Sequence, residues 1–219
     1  MKVNTDGVLL GALITAEKPA SIIDIGTGTG VIALMLAQRF PQAKVDAVEI
    51  DGDAADTARS NFLNSKYSDR LRLYHSPFEQ FSSDYPDRKY DLIVSNPPFF
   101  TNALHNPNEK KVIARHAGNS LFDDLTTFVQ RHLNDSGRAY FILPNDAAAE
   151  VIESAGSKNL HLHHRISIRS FRSKSHHRVI IGLGVENFQT IETTFVIYES
   201  DKVYSAEYGN ALKDFLTIF

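Results

Sequence analysis

Four residues near the middle of the chain, Asn96-Pro97-Pro98-Phe99, have the types and spacing to handle an aromatic amine. An exocyclic amine conjugated with an aromatic ring is a poor nucleophile, because its lone pair is delocalised into the ring. Acceptors for both amine hydrogens help the nitrogen turn tetrahedral. The Asn96 side-chain oxygen and the Pro97 carbonyl are two such acceptors. Proline adds a carbonyl without a competing donor, and two in succession stiffen the loop. Phe99 offers a face for stacking a base, worth about 1–3 kcal/mol in single-strand binders, and Phe100 extends that surface. No general base is needed to start such a reaction. The neutral amine attacks an electrophilic methyl in line, positioning does most of the work, and the proton leaves afterwards to water. The competing reading is a strand-ending turn with buried phenylalanines.

A second group of residues could hold the methyl donor. Asp24-Ile25-Gly26-Thr27-Gly28-Thr29-Gly30 places three glycines in five residues. Glycines at this density let the backbone turn tightly and approach a ligand closely. Amides at the start of the following helix favour an anionic group. A dinucleotide fingerprint needs its last glycine at position 31, which is Val31. The Gly-x-Gly-x-Gly spacing instead resembles the S-adenosylmethionine loop, whose ligand carries a single carboxylate. Asp24 would face that ligand's ammonium group. Glu49, about 20 residues past the loop, is where a ribose clamp belongs, while Asp51 suits the start of the next helix. Ser76-Pro77-Phe78 offers a wall for an adenine ring, although Phe78 also reads as core. The bland alternatives are a tight strand-to-helix turn at the glycines and a solvated strand-edge charge at Glu49.

These motifs need elements to position them. Apolar runs alternate with helical patterns, as in βαβ units. Strands are expected at Ser21–Ile25, Lys44–Ile50, Leu71–His75, Tyr90–Ser95 and Gly137–Leu143, with helices at Thr5–Ala16, Gly28–Phe40, Asp53–Ser65, Phe122–Leu133 and Ala147–Ala155. Asn96-Pro97-Pro98 must end the fourth strand, since proline cannot continue a central ladder. His161–Ser170 and Val179–Phe188 follow without a helix between them and suit an antiparallel hairpin. The tail reads as a strand over Thr193–Tyr198 and a helix over Tyr208–Phe219. The expected fold is α/β: a doubly wound, mostly parallel, seven-stranded Rossmann-like sheet with a terminal antiparallel hairpin. It forms one domain over 1–219, with an N-terminal helix packed on the cofactor site (1–16), a core (17–188) and a C-terminal strand and helix (189–219). Ligands of such sheets bind beyond the carboxyl ends of the strands. The loops after the first four strands therefore share one crevice, and the motifs fall on those loops.

With these motifs in place, the chain resembles the class I amino-methyltransferases, and more closely the bacterial tRNA1(Val) N6-adenine methyltransferases, which modify the adenine beside the anticodon. The likeness extends through the opening Met1-Lys2-Val3-Asn4-Thr5-Asp6-Gly7-Val8-Leu9-Leu10-Gly11, Ala114-Arg115-His116 followed by Leu121, the basic turn into Arg178, and the tail with Lys213-Asp214-Phe215. Position 4 departs from the family, which usually has glycine there. The resemblance implies S-adenosyl-L-methionine as cofactor, held by Asp24, Gly26, Gly28, Gly30, Glu49, Ser76, Phe78 and Asn96, with Asn96, Pro97 and Phe99 catalytic and tRNA as partner. Thr5 and Asp6 would then sit near the cofactor's methionine end, against a plain capping role for Thr5. Guanine-N2 methylation of ribosomal RNA and glutamine-amide methylation of a protein use the same motif. Phe99 leans toward a base, because tyrosine is commoner there in the protein-modifying enzymes. A silent cofactor- or RNA-binding module would have no need of Asp24, Glu49 and Asn96 together.

Charge decides how RNA could be held. The net charge of the 219 residues is −3, so a nucleic acid needs a local basic patch rather than the global field. Phe99, Phe100, Arg169, Arg172, Lys174 and Arg178 are the expected RNA contacts, helped by Arg165, His176 and His177 and by Lys110, Lys111, Arg115 and His116. The alternative is a solvated edge hairpin. The nine histidines show no spacing that suits a metal, so no metal is expected. The chain has no cysteine, which excludes disulfides, thiolate nucleophiles and cysteine-held metals. No apolar run is long enough to span a bilayer and the opening lacks a signal-peptide pattern. A cytoplasmic monomer is expected.

Overall fold

The computed structural model describes residues 4–98 and 110–217, with residues 110–120 contributing only helical backbone. The first helix, α1 (Thr5–Leu13), is capped by Asn4, whose side chain accepts the Gly7 amide at 2.9 Å. The expected cap at Thr5 and end at Ala16 are both corrected. Asn4 has the extended backbone and the acceptor that a cap needs, and Ile14 is already extended.

Strand and helix then alternate: β1 (Ser21–Ile25), α2 (Val31–Arg39), β2 (Lys44–Glu49), α3 (Gly52–Leu63), β3 (Leu71–His75), α4 (Phe78–Asp84), β4 (Tyr90–Ser95), α5 (Lys110–His132), β5 (Leu133–Leu143) and α6 (Asn145–Gly156). Two strands follow without a helix, β6 (His161–Arg169) and β7 (Arg178–Gly184). The chain closes with β8 (Ile191–Val196), a two-stranded ribbon of β9 (Tyr198–Ser200) and β10 (Val203–Tyr204), and α7 (Ala206–Leu212). The main sheet has the order β3-β2-β1-β4-β5-β7-β6-β8. The first five strands are parallel, β7 runs antiparallel to both neighbours, and β8 runs parallel to β6.

The doubly wound sheet and the antiparallel pair match expectation, but the sheet has eight strands where seven were expected. The tail strand is the eighth. It pairs with β6 from His164↔Ile191 to Arg169↔Val196 and so covers an edge that would otherwise present unpaired backbone groups. Helix α4 was not expected, and α5 starts at Lys110 rather than Phe122.

The inner strands are apolar on both faces, as a covered parallel sheet requires. Ile22, Leu92 and Tyr140 pack with α1, α2 and α7 on one side. Ile23, Ile93 and Phe141 pack with α4, α5 and α6 on the other. Because only β7 is reversed, the carboxyl ends of all the other strands lie at one end of the sheet. The turns after β1, β2, β3 and β4 converge there.

Candidate functional site

The turn after β1 is built by glycines in the left-handed region: φ is +69° at Gly26, +59° at Gly28 and +85° at Gly30. Their duties differ. A Cβ on Gly26 would meet nothing within 4 Å, whereas one on Gly30 would run into the Phe62 ring. Gly30 therefore lets α3 pack against the turn. The Gly26 and Thr27 amides donate to the Val48 carbonyl at 2.9 and 3.0 Å, which ties the turn to β2.

Glu49, at the end of β2, is almost buried. One carboxylate oxygen accepts the Gly28 amide at 2.7 Å and the other accepts the Asp51 amide at 2.8 Å. It thus holds the glycine turn while facing open space. Asp51 caps α3 by accepting the Ala54 amide, the helix-start role its position suggested.

Asp24 lies beneath the turn with 0% exposure. Its Oδ2 accepts the Thr27 hydroxyl at 2.6 Å, and its Oδ1 has no partner. Burial pushes its carboxyl up to about 7. The hydrogen bond from Thr27 opposes that rise, and the neighbouring Glu49 charge adds to it.

Two cavities meet here. The larger, about 530 Å³, is lined by the Gly26–Thr29 turn, Glu49, Asp51, Asp53 and Asn96, with Asn4 and Gly7 of α1 as a wall. The smaller, about 270 Å³, is lined mainly by apolar side chains, among them Val48, Phe78, Pro97 and Leu125, with Ser76 at its edge. Gly26, Glu49 and Pro98 border both. Phe78 also packs edge-to-face on Phe128, so its cavity and core readings are both realised.

The structure thus gathers Gly26, Gly28, Glu49, Ser76, Phe78, Asn96 and Pro97 around one crevice, with Asp24 just under it. Gly30 lies against Phe62 and outside the lining. Phe99 and Phe100 fall outside the described residues. Asn4 and Gly7, from the segment expected to pack on the site, line the crevice without having been singled out, and Asp53 and Thr57 line it unexpectedly. Asn ahead of an apolar helical pattern is a capping signal that could have placed the first turn of α1.

The expected basic contacts Arg169, Arg172, Lys174 and Arg178 sit at the same end of the sheet, and two of the four are ion-paired. Arg178 Nε donates to Asp6 Oδ2 at 2.8 Å, so Asp6 points to β7. Arg172 pairs with Glu207 at 3.2 Å and Glu199 at 3.8 Å. Arg169 donates to the Arg172 carbonyl, and Lys174 is exposed. The histidines serve structure where their partners are described. His132 is fully buried between the Arg88 carbonyl and the Ser82 hydroxyl, and His164 meets the Tyr140 hydroxyl. Among the described residues no group of His, Cys, Asp and Glu could hold a metal ion, and no helix is long and apolar enough to cross a membrane.

The family model for the methyltransferase small domain matches residues 4–138. A predicted O-methyltransferase from Agrobacterium tumefaciens has the same fold, with a TM-score of 0.74 at 18% identity, covering 95% of this chain and 96% of that one. The family model and the curated relatives define a class: the protein is an S-adenosylmethionine-dependent methyltransferase. A tRNA1(Val) (adenine(37)-N6)-methyltransferase from Pedobacter heparinus is 45% identical over 219 residues, 100% of this chain and 92% of that protein. One from Yersinia pseudotuberculosis is 35% identical over 216 residues, 98% of this chain and 85% of that protein. The chain belongs to the family of tRNA1(Val) (adenine(37)-N6)-methyltransferases.

Proposed function

We propose that the protein methylates the exocyclic N6 amine of an adenine in tRNA, next to the anticodon of tRNA1(Val). The observation that carries this reading is that Asn96, at the mouth of an Asn-Pro-Pro loop, opens onto the same cavity as the glycine turn.

The site fits the cofactor on its own chemistry. Asp24 Oδ1 is a buried acceptor without a partner, matched to an ammonium group. Glu49 keeps acceptor capacity beyond its two amide donors, since a carboxylate has about four lone-pair sites, and so suits ribose hydroxyls. The apolar smaller cavity, with Phe78 and Ser76, suits a purine ring. Gly26, where a Cβ would meet nothing within 4 Å, leaves room for close approach, and the first turn of α1 walls off the methionine side. Bound there, S-adenosylmethionine supplies an electrophilic sulfonium methyl.

This chain's own contribution is positioning. Asn96 Oδ1 and the Pro97 carbonyl accept the two amine hydrogens and fix the lone pair. Pro97 is buried and stiffens the loop. Ser95, one residue earlier, anchors the end of β4 by donating its hydroxyl to the Ile25 carbonyl at 2.7 Å. That bond sets the Asn96 loop against the glycine turn. The proton released on transfer goes to water, so no buried base is required. Phe99 stacks the target base. One chain supplies every residue in this scheme, and a tRNA substrate places the reaction in the cytoplasm.

The test is single-turnover methyl transfer to unmodified tRNA, followed by nucleoside analysis. Wild-type protein is expected to yield N6-methyladenosine. Asn96→Ala should lower the rate at least about a hundred-fold, the usual cost of losing a transition-state hydrogen bond, with its circular dichroism unchanged. Wild-type transfer by Asn96→Ala would end this mechanism, and N2-methylguanosine as the product would move the substrate to guanine.

A further inference from the structure

Beyond the crevice, four aromatic rings form a column at the carboxyl end of β6 and β8. Tyr208, almost buried, stacks on Tyr204 at 4.7 Å and 10°. Tyr204 stacks on Tyr198 at 5.2 Å and 20°. Tyr198 meets Phe171 at 5.6 Å and 32°. The column runs from the core out to the β6–β7 loop and ends on half-buried Phe171. The Tyr198 amide donates to the Ser170 carbonyl at 2.9 Å and fixes the ribbon to that loop.

Two of the arginines around this column are already ion-paired. Arg172 is held by Glu199 and Glu207, Arg178 by Asp6, and Lys174 is exposed. With these two arginines engaged by carboxylates, the stacked aromatic end offers a base contact that does not depend on them. Base–aromatic stacking tolerates any sequence, since every base has a π-face.

The place of the column also fits. β6 stands three strand positions from β4 in the sheet. At about 4.8 Å per step this is roughly 14 Å from the Asn96 loop. That is about four nucleotides at the ~3.4 Å rise of a stacked strand. A short single-stranded loop can therefore place one base at Asn96 and a flanking base at Phe171.

We infer that Phe171, at the end of the Tyr208–Tyr204–Tyr198 column, is a stacking platform for a flanking unpaired base of the RNA whose target base sits at Asn96. The inference rests on the proposed tRNA substrate. It makes RNA affinity depend on an aromatic face in the β6–β7 loop more than on that loop's arginines.

The test measures binding of unmodified tRNA at several salt concentrations, alongside steady-state methylation. Phe171→Leu keeps apolar packing on Tyr198 but removes the π-face. It should weaken tRNA binding by about five- to a hundred-fold, the loss of one base–aromatic stack, without changing the slope of log affinity against log salt. KM for tRNA should rise while kcat and S-adenosylmethionine affinity hold. Phe171→Trp should restore binding. Leucine binding within twofold of wild type would overturn the platform, as would tryptophan failing like leucine or a salt slope that falls in Phe171→Leu. The platform fails alone if the wild-type protein methylates tRNA and Phe171→Leu binds it equally well. A wild-type protein that neither binds nor methylates tRNA overturns both the platform and the proposed function.

Discussion

A carboxyl group without exposure and with one oxygen unpartnered can hold a proton or meet a cation. Asp24 is such a group, with its pKa pushed up to about 7 by burial. The unfolded chain ionises it near 3.8, so the unfolded state sheds the proton first as pH rises. Free-protein stability should therefore fall between about pH 4 and pH 7 from this residue, and level off above. An ammonium group brought against Oδ1 favours the ionised form. Cofactor binding near pH 6.5 should then release a fraction of a proton, read as a dependence of calorimetric enthalpy on buffer ionisation heat. Asp24→Asn should abolish that release, weaken cofactor binding at least tenfold, and raise the melting temperature of the free protein at pH 8. A lower melting temperature together with wild-type affinity would separate Asp24 from the cofactor.

At the scale of elements, α1 is held in two ways. Its middle is pinned by the fully buried Leu9 and Leu10 and by Arg39, which donates to the Gly11 and Ile14 carbonyls at 2.7 and 2.8 Å. Its first turn, the part that walls the crevice, is tied to β7 by Asp6–Arg178. Asp6→Asn and Arg178→Gln should each cost a factor of about two to five in cofactor affinity, as fits a partly exposed pair. The double variant should lose no more than either single one, and additive losses in calorimetry would show that the two residues act separately. This tie joins residues 172 positions apart, which is why no local pattern revealed it. β1 and β4, mostly apolar and buried, fall where the sequence placed them, and so does β3, of which only Leu71 is buried. The tail strand was expected over Thr193–Tyr198, but its start at Ile191 and its place in the main sheet were missed, because four of its six residues are exposed and two of those are threonines. Helix α4 is two turns long and offers little periodicity. At the site, Gly26, Gly28, Glu49 and Asn96, singled out for turn geometry and acceptor chemistry, fall on one crevice. Gly30 looked equivalent, and only its contact with Phe62 reveals its separate duty.

For the whole molecule, the segment after β7 does two structural tasks. It covers the β6 edge through β8, and it places α7 against α1, with Tyr208 and Leu212 in the same cluster as Val8 and Leu9. Gln38 of α2 also reaches the Asp214 carbonyl at 2.7 Å. A chain ending at Phe188 keeps the glycine turn, Glu49 and Asn96 but loses both supports. It should sediment as aggregates and bind no cofactor, although every proposed cofactor residue is present. A soluble monomer with wild-type cofactor affinity would show that the closing segment is dispensable for the crevice.

The interposed position of β7 sets an order of assembly. In the finished sheet β5 pairs on that side only with β7, and β6 pairs only with β7 and β8. As the chain is made, β6 emerges with nothing to pair with, beside a β5 edge bearing Ala139, Tyr140, Phe141 and Ile142. Both must wait for β7. At about 5–20 residues per second, the stretch from Leu143 to Arg178 takes roughly 2–7 s to synthesise. Throughout that interval the nascent chain carries an open apolar strand edge, the kind of surface that chaperones hold and that aggregation exploits. Insertion of one strand between two already made closes that window.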